Sequence, residues 1–394
     1  MKQAFRAPIA LAYIALAGAV LAAPASALTM TVAIEPITEN ANQAFVHDYL
    51  PFARYLSASI GQPVAASLSR ELAREIVATR SGSHDIIMGP AHVVGSAVRY
   101  GYVPIASLPG EGTTAFVTRA QSNIRALEDL KGKKIGLPSV ESLTSFIALG
   151  ELNARKLLAK DAGVTVVHYR FHDVALYALN QGFVDAVAVD GELAKTATRD
   201  SGLVVYFESP SVRRFNVAVN VQMPVEMQLR LRDSLLSQRG AAALKSDVPS
   251  LAGFKPLSAG DFAYVNKLTY LTPTFLPGAT VISADKVAEL IQSGVMCLDV
   301  RTEAEYKARH ISGAKFLPYA EHSKKEVGFD RSLDKFALAD TVKDKNAPIV
   351  FSCNGEECWK SYKAATWALA DGYKTVYWFR GGFPEWRNRR FPLD

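Results

Sequence analysis

Two cysteines lie five positions apart in the segment PIVFSCNGEECWKSYKAATWAL, which covers residues 348–369. They are two of only three cysteines in a chain of 394 residues. A thiol pair at this spacing can form a disulfide, supply half of a metal site, or provide a nucleophile with a companion thiol. The surroundings of Cys353 and Cys358 decide between these chemistries.

A short strand and a helix frame the first of these cysteines. The letters PIVFSC predict a buried strand that ends at Cys353, and WKSYKAATWALADGY predicts a helix that ends near Gly372. Backbone N–H groups and the helix dipole stabilise a thiolate at such a junction, which lowers a thiol pKa from about 8.5 into roughly the 3.5–7.5 range. Lys360 adds positive charge beside the loop. The pattern therefore favours a nucleophilic role for Cys353.

The amino terminus has the pattern of a secretory signal peptide. Lys2 and Arg6 precede an apolar run over residues 9–23, and small residues follow at 25–27. The run is shorter than the roughly 20 apolar residues that a membrane-spanning helix needs, so we expect a leader that is cut after residue 27. Together with the low cysteine content, this predicts a bacterial periplasmic protein.

The charge pattern argues against a nucleic-acid partner. The formal net charge is +6 and falls by two when Lys2 and Arg6 leave with the leader. Basic and acidic residues are interleaved along the chain, without a cationic stripe, so small anions are better candidate partners than nucleic acid. Hydrophobic residues make up 49% of the chain, which is enough for well-packed cores.

Strands alternate with helices along two parts of the chain. TMTVAIEP, HDIIMGP, GKKIGLP and VDAVAVD predict strands, and residues 142–161 predict a long helix. This alternation predicts parallel α/β sheets whose ligands bind at the carboxyl ends of strands. The rhythm breaks after Gly260. We predict a signal peptide at 1–27, a first α/β domain at 28–268, a linker at 269–279 and a smaller parallel-sheet α/β domain at 280–394.

Three segments of the first domain resemble the periplasmic phosphonate- and phosphite-binding proteins of ABC uptake systems. They are DIIMGPAHVVGSA, LEDLKGKKIGLPSVESLTSF and FHDVALYALNQGFVDAVAVD. The resemblance implies two α/β lobes around a cleft that closes by a hinge on a small oxyanion, with an ABC permease as a candidate partner. It implies an anion-binding cleft site formed by Glu35, His92, Ser142, Thr144, Ser145 and Asp190.

Three ordered motifs of the second domain resemble the rhodanese family of sulfurtransferases. They are CLDVRTEAEYKARHISGAKFLP, the loop after Cys353, and WFRGGFPEWRNRRFPL. The resemblance implies that Cys353 takes sulfane sulfur from a donor such as thiosulfate and passes it, as a persulfide, to a thiol or another acceptor. Backbone N–H groups of the loop would hold the anionic donor. The implied loop consists of Asn354, Gly355, Glu356, Glu357, Cys358, Trp359, Lys360 and Ser361.

The sequence leaves two questions open, namely the role of Cys358 and the function of the whole chain. Cys358 forms a resting disulfide with Cys353, resolves the persulfide, or packs as a small hydrophobic residue. The whole chain is a sulfurtransferase, or it is a non-catalytic solute-binding or sensing protein with a redox-sensitive second domain and a periplasmic redox partner. Phosphatases that share the rhodanese fold usually keep an arginine near Lys360, so sulfur chemistry is favoured. No reading calls for a metal ion or a cofactor.

Overall fold

A computed structural model describes residues 26–35, 41–158, 162–199, 201–269 and 271–394. Nearly all of the predicted signal peptide lies outside these residues. The predicted end of the long helix at residue 161 and position 270 of the predicted linker also lie outside them. Within the described ranges, no helix is long and apolar enough to cross a membrane.

The first unit ends at residue 267 and alternates strands with helices. Its strands are β1 (Leu28–Ala33), β2 (Val64–Ser69), β3 (Ile86–Gly89), β4 (Tyr102–Ser107), β5 (Glu111–Gly112), β6 (Thr114–Arg119), β7 (Lys134–Leu137), β8 (Thr165–His168), β9 (Ala186–Asp190), β10 (Leu203–Glu208), β11 (Val212–Arg213), β12 (Asn216–Asn220) and β13 (Lys255–Pro256). Its helices are α1 (Ala41–Ala44), α2 (Leu50–Ile60), α3 (Leu72–Arg80), α4 (Ala91–Arg99), α5 (Leu143–Ala154), α6 (His172–Asn180), α7 (Gly191–Ala197), α8 (Val225–Leu236), α9 (Gln238–Asp247) and α10 (Ala263–Lys267).

Two sheets divide the first unit into two lobes. One sheet has the order β13-β4-β12-β3-β1-β2 and the other has the order β10-β6-β9-β7-β8. The chain crosses between the sheets after β4 and returns after β10, and the short strands β5 and β11 pair antiparallel at this crossing. Strands β3 and β12 are buried along their whole length, as expected for apolar runs covered on both faces. Paired crossings of this kind can act as a hinge between the lobes.

The second unit is smaller and is built on one sheet. Its strands are β14 (Ala279–Val281), β15 (Met296–Asp299), β16 (Lys315–Phe316), β17 (Ile349–Ser352) and β18 (Val376–Phe379). Its helices are α11 (Ala284–Gln292), α12 (Glu303–Ala308), α13 (Leu338–Thr341), α14 (Trp359–Ala370) and α15 (Gly382–Asn388). The order is β14-β18-β17-β15-β16, and every neighbouring pair is parallel. The predicted fold class, a bilobed α/β unit followed by a smaller parallel α/β unit, is confirmed.

Alanine side chains bring α14 close to the second sheet. Ala364, Ala365 and Ala368 are fully buried, and they belong to one apolar cluster with Phe351 of β17 and Trp378 of β18. Small side chains let the helix approach the strands closely. This packing fixes the start of α14 directly beyond the carboxyl end of β17, where parallel sheets hold their ligands.

The last helix of the second unit contacts the first unit. The guanidinium of Arg387 in α15 donates to the carbonyl oxygens of Arg80 (3.1 Å) and Tyr100. Gly101 lies against Asn388 with a φ of +91°, and an added Cβ there would stand 2.5 Å from the amide oxygen of Asn388. These contacts hold α15 against the end of α3 and the end of α4.

Candidate functional site

The two cysteines of the loop are joined in the structure. Cys353 directly follows β17, Cys358 directly precedes α14, and their sulfur atoms form a disulfide with the Cα atoms 6.1 Å apart. Cys353 is 1% exposed, whereas Cys358 is half-buried. The disulfide is therefore approached from the side of Cys358, and the structure represents the oxidised state of the loop.

The Gly-Gly motif holds the backbone of Cys353. The N–H of Phe383 donates to the Cys353 carbonyl oxygen at 2.8 Å. Gly382 has a φ of +57°, and an added Cβ there would stand only 2.2 Å from that same oxygen. Only glycine fits this approach without a shift of the backbone. The closing motif of the sequence thus serves to seat α15 against the cysteine.

The N–H groups of the loop have other partners in this disulfide form. The N–H of Glu357 donates to the hydroxyl of Tyr100 at 3.1 Å, and the N–H of Cys358 donates to the carbonyl of Gly355 at 2.9 Å. Burial raises the pKa of Tyr100 to about 12, so its hydroxyl stays protonated. An anion cradle built from these two groups therefore requires a rearrangement of the loop.

The two carboxylates of the loop point to different partners. Glu356 pairs with Arg380 of the same unit at 2.7 Å, and its carbonyl oxygen accepts from the N–H of Thr272 at 2.9 Å. Glu357 is 8% exposed and pairs with two arginines of the first unit, Arg80 and Arg99. The loop is thus held by both units at once.

A cavity of about 300 Å³ opens beside Cys353, between the two units. Its basic lining residues are Arg80, Arg301, Lys325 and Lys360. Its other lining residues are Val77, Thr302, Glu305, Glu321, Cys353, Asn354, Glu357, Cys358 and Trp359. Four basic residues against three acidic ones leave a small excess of positive charge next to the cysteine, which suits an anionic substrate.

Two acidic residues of this cavity have partners of their own. Glu305 accepts hydrogen bonds from Thr302 and from the side chain of Asn354. Burial alone would raise the pKa of Glu305, but these hydrogen bonds outweigh it and lower the pKa overall. Glu321 pairs with the fully buried Lys363 at 2.8 Å.

Three residues near the cysteine loop make buried structural contacts. Ser361 is buried behind the start of α14, where its hydroxyl accepts from the indole N–H of Trp378 at 3.1 Å. Asp299 and Arg301 form a buried ion pair at 2.6 Å, and Arg301 lies over the ring of Phe383. Arg301 also lines the cavity, and its Nη1 has no hydrogen-bond partner among the described residues.

The cleft between the lobes holds a second cavity, of about 260 Å³. It brings together three of the six predicted cleft residues, namely Glu35, Thr144 and Asp190. Burial raises the pKa of Glu35 to about 6, although its carboxylate accepts from the N–H of Leu143 at 3.0 Å. Asp190 pairs with Arg214 at 2.7 Å. Arg214 also lines the cavity, and the remaining lining residues are Gly112, Thr113, Thr114, Leu143, Ile147, His172 and Val212.

The other three predicted cleft residues are buried and do not line this cavity. Ser142 caps α5 by accepting from the N–H of Ser145 at 3.1 Å, and the Ser145 hydroxyl donates to the carbonyl of Pro138. His92 stacks on Phe146, with its Nε2 3.1 Å from the carbonyl oxygen of Glu141. Burial lowers the pKa of His92 to about 4, so the ring is neutral. The structure assigns these side chains packing and capping contacts.

Several residues of both sites had no signal in the sequence. In the cleft they are Thr113, Thr114 and Arg214, which lie at the crossing between the lobes. Beside the cysteines they are Arg80, Arg99 and Tyr100. The residues of the cleft could have been found from the position where the chain crosses between the two sheets. The residues beside the cysteines are not indicated by any pattern in their own part of the sequence.

Both units match known families. Residues 35–262 match the family described as "ABC transporter, phosphonate, periplasmic substrate-binding protein", and residues 283–389 match the rhodanese-like domain. The two family resemblances predicted from the sequence motifs are thereby confirmed.

Curated relatives cover the second unit. It is 30% identical over 118 residues to thiosulfate sulfurtransferase 18 of Arabidopsis thaliana, a match that covers 29% of this chain and 84% of that protein. It is 31% identical over 116 residues to thiosulfate sulfurtransferase GlpE of Ectopseudomonas mendocina, covering 29% of this chain and 88% of that protein. Among solved structures, XAC2383 from Xanthomonas citri bound to chloride ion is 15% identical with a TM-score of 0.49, and the match covers 61% of this chain and 95% of that chain.

Proposed function

Because this chain belongs to the family of periplasmic phosphonate substrate-binding proteins of ABC transporters, and its second domain to the rhodanese family of thiosulfate sulfurtransferases, we propose that it is a periplasmic sulfurtransferase coupled to an anion-binding domain. Cys353 is its nucleophile. The observation that supports this best is the position of Cys353 beyond the central strand β17, beside a cavity that is lined by four basic residues.

The proposed cycle begins with the opening of the disulfide. A dithiol reductant in the periplasm exchanges with the Cys353–Cys358 bond, which leaves two thiols on the protein and a disulfide on the reductant. The half-buried Cys358 is the more accessible sulfur for this attack, since Cys353 is 1% exposed. The released loop can then redirect its N–H groups toward the donor.

Sulfur transfer then takes two displacements. The thiolate of Cys353 attacks the outer sulfur of thiosulfate, the S–S bond of the donor breaks, and sulfite leaves with the bonding electron pair. The protein now carries a persulfide. A thiolate or cyanide attacks the terminal sulfur and regenerates the Cys353 thiolate, so no electrons are gained or lost by the protein over these two steps.

Lys360 and the start of α14 support the charge of this reaction. Lys360 is the second residue of the helix and lines the cavity. A cation and the positive end of a helix dipole both stabilise a thiolate and a bound dianion. Lys360 is therefore a candidate catalytic residue, and the loop from Asn354 to Trp359 is the proposed donor-binding loop.

The cleft of the first domain is the proposed site for a small oxyanion. Arg214 supplies positive charge, and Thr113, Thr114 and Thr144 supply hydroxyl groups. Glu35 and Asp190 add carboxyl groups, but the raised pKa of Glu35 lets it bind as a neutral donor near pH 6. The covalent link to a sulfurtransferase suggests a sulfur oxyanion as the ligand, and an ABC permease as a candidate partner.

Thiocyanate formation from thiosulfate and cyanide tests the enzymatic proposal. We expect turnover by the full chain after reduction, and none by Cys353→Ser. Calorimetry on the full chain with thiosulfate, sulfite and phosphite tests the cleft, with the Cys353→Ser variant removing the second domain's reaction. Binding of phosphite alone would reject the sulfur oxyanion as the ligand.

The alternative function is a solute-binding or sensing protein whose second domain is a redox-sensitive module. The observation that favours it is the closed disulfide across the loop, which blocks Cys353. This alternative would be supported by a reduced protein that forms no thiocyanate, together with a Cys353→Ser variant whose phenotype is the same as that of the wild type.

A further inference from the structure

Glu357 places a negative charge within the loop that must accept an anionic donor. It stands directly before Cys358, it lines the cavity beside Cys353, and its side chain is 8% exposed. A carboxylate that lines the same cavity as the reacting sulfur repels both a thiolate and a thiosulfate dianion. The charge has to be compensated for the proposed reaction to proceed.

The compensation comes from the other domain. Among the described residues, Glu357 forms ion pairs only with Arg80, at the end of α3, and Arg99, at the end of α4. Both arginines are largely buried at this contact, with side-chain exposures of 13% and 15%. The neighbouring Glu356 differs, because Arg380 of its own domain neutralises it.

Arg80 has a second role, which Arg99 does not share. Arg80 lines the cavity beside Cys353, together with Arg301, whose Nη1 is buried without a hydrogen-bond partner among the described residues. An unpaired buried guanidinium N–H is costly unless a ligand acceptor completes it. Arg80 from one domain and Arg301 from the other thus form two sides of an anion seat.

We propose that the sulfur-donor site is shared between the domains: Arg80 of the binding domain contacts the anionic donor, and Arg80 and Arg99 together neutralise Glu357. This inference rests on the proposed sulfur transfer at Cys353. Arg80 is a specificity-determining residue for an anionic donor, and Arg99 is a positioning residue that acts through Glu357. The binding domain is then part of the enzyme's active site as well as a ligand receptor.

Charged and neutral alkylating reagents test this without requiring turnover. The ratio of the rates at which iodoacetate and iodoacetamide modify Cys353 is measured on the reduced full chain, by mass spectrometry of the cysteine peptide. Arg80→Gln should lower this ratio about tenfold, because one favourable charge is lost and Glu357 is left partly unpaired. Glu357→Gln should raise the ratio, and adding it to Arg80→Gln should restore most of the loss.

Arg74→Gln is the matched control. Arg74 lies on the same helix, is 76% exposed in its side chain and pairs only loosely with Glu71, so the ratio should not change.

With thiosulfate as donor, Arg80→Gln should raise KM about tenfold while kcat changes less than about threefold. Circular dichroism confirms that each variant is folded, and Arg80→Met replaces Arg80→Gln as the neutral variant if the glutamine variant does not fold.

The outcomes separate this inference from the proposed function. A changed alkylation ratio without any thiosulfate turnover by the wild type would reject the sulfurtransferase but keep the shared anion seat. An alkylation ratio that is the same in folded Arg80→Gln, Glu357→Gln and Arg74→Gln would overturn the shared seat, whatever the turnover. Arg80→Lys should retain most of the wild-type ratio, and a loss equal to that of glutamine would also count against it.

Discussion

Cys358 decides whether Cys353 is available as a thiol. With the two sulfur atoms joined, Cys353 cannot attack a donor. We predict that Cys358→Ser forms thiocyanate from thiosulfate and cyanide without prior reduction, at a rate near that of the reduced wild type. The unreduced wild type should form none above background.

Cys297 offers the control for this thiol prediction. It is fully buried in the core, and burial raises its pKa far above the usual range, so it is a poor nucleophile. Cys297→Ala should therefore keep the wild-type requirement for reduction. A Cys358→Ser variant that still needs reductant would show that the disulfide is not what restrains the enzyme.

Glu35 gives the cleft a specific pH dependence. Its pKa of about 6 in the folded protein exceeds its ordinary 4.5, so folding favours the protonated form. The stability that this provides is complete below pH 4.5 and is lost as the pH rises through 6. Relative to Glu35→Gln, the wild type should lose about 2 kcal/mol of unfolding free energy over this interval. Urea unfolding across pH 4–7 measures the difference, and parallel profiles for the two proteins would contradict the assignment.

For single residues, the sequence identifies a functional side chain when its role follows from the residues next to it in the chain. Cys353 and Lys360 stand out because a strand end and a helix start lie next to them. Ser142 and Ser145 have the same signature as ligand residues, yet their hydroxyls cap and anchor α5. A hydroxyl group at the start of a helix can cap the helix or bind an anion. Only the direction of its side chain in the structure distinguishes these two roles.

At the element scale, one buried lysine organises the wall of the cavity. Lys363 of α14 is fully buried and donates to the Ser323 hydroxyl at 2.7 Å, while it pairs with Glu321 at 2.8 Å. Asp334 accepts from the N–H groups of His322 and Ser323. These contacts hold the segment before Lys325 against the helix, on the side that faces Cys353.

Replacing Lys363 should disrupt the contacts that hold this segment against α14. We predict that Lys363→Met lowers the unfolding free energy by about 3 kcal/mol, because it leaves the largely buried carboxylate of Glu321 without its partner. Lys360→Met, on the cavity side of the same helix, should lower the unfolding free energy by less than about 1 kcal/mol, because the charge that it removes is partly exposed. Equal losses for the two variants, measured by urea unfolding, would contradict this role.

The same network also predicts an acid limit. Burial would raise the pKa of Asp334, but hydrogen bonds from Ser323 and His322 outweigh it and lower the pKa to about 2. Its stabilising contribution is present above pH 3.8 and is lost as the pH falls toward 2. Acid unfolding of Asp334→Asn should therefore be less steep than that of the wild type in this range.

Long elements with a clear pattern could be predicted from the sequence, and short ones could not. The apolar runs at β1, β3, β7, β9 and β17 form strands at the predicted places. The strands β5 and β11 have two residues each, too few for any alternation to show. The predicted long helix ends earlier, at Ala154, because Lys156 adopts a φ of +59° that a helix cannot contain.

At the scale of the whole molecule, the chain brings together residues that no local pattern connects. Arg80 and Glu357 are 277 positions apart, and Tyr100 and Glu357 are 257 apart. Each domain could be predicted from its own motifs, whereas the contact between them depends on how two finished surfaces fit. The placement of the cysteine loop against α3 and α4 is therefore information that the structure adds.

The linker between the domains also contacts the cysteine loop. The linker residue Thr272 holds the carbonyl of Glu356, and Arg380 holds the carbonyl of Thr272 at 3.0 Å. The loop, the linker and the first domain thus form one continuous set of contacts around the cysteines. The proposed joint function of the two domains depends on sulfur chemistry at this position.

The decisive measurement is the intact mass of the full chain after incubation with thiosulfate, with and without prior reduction. We predict that the reduced protein gains the mass of one sulfur atom, carried on the peptide that contains Cys353, and that the unreduced protein gains none. The gain should disappear in Cys353→Ser. A reduced, folded protein whose mass does not change would contradict the account and leave a two-lobed binding protein with an inactive second domain.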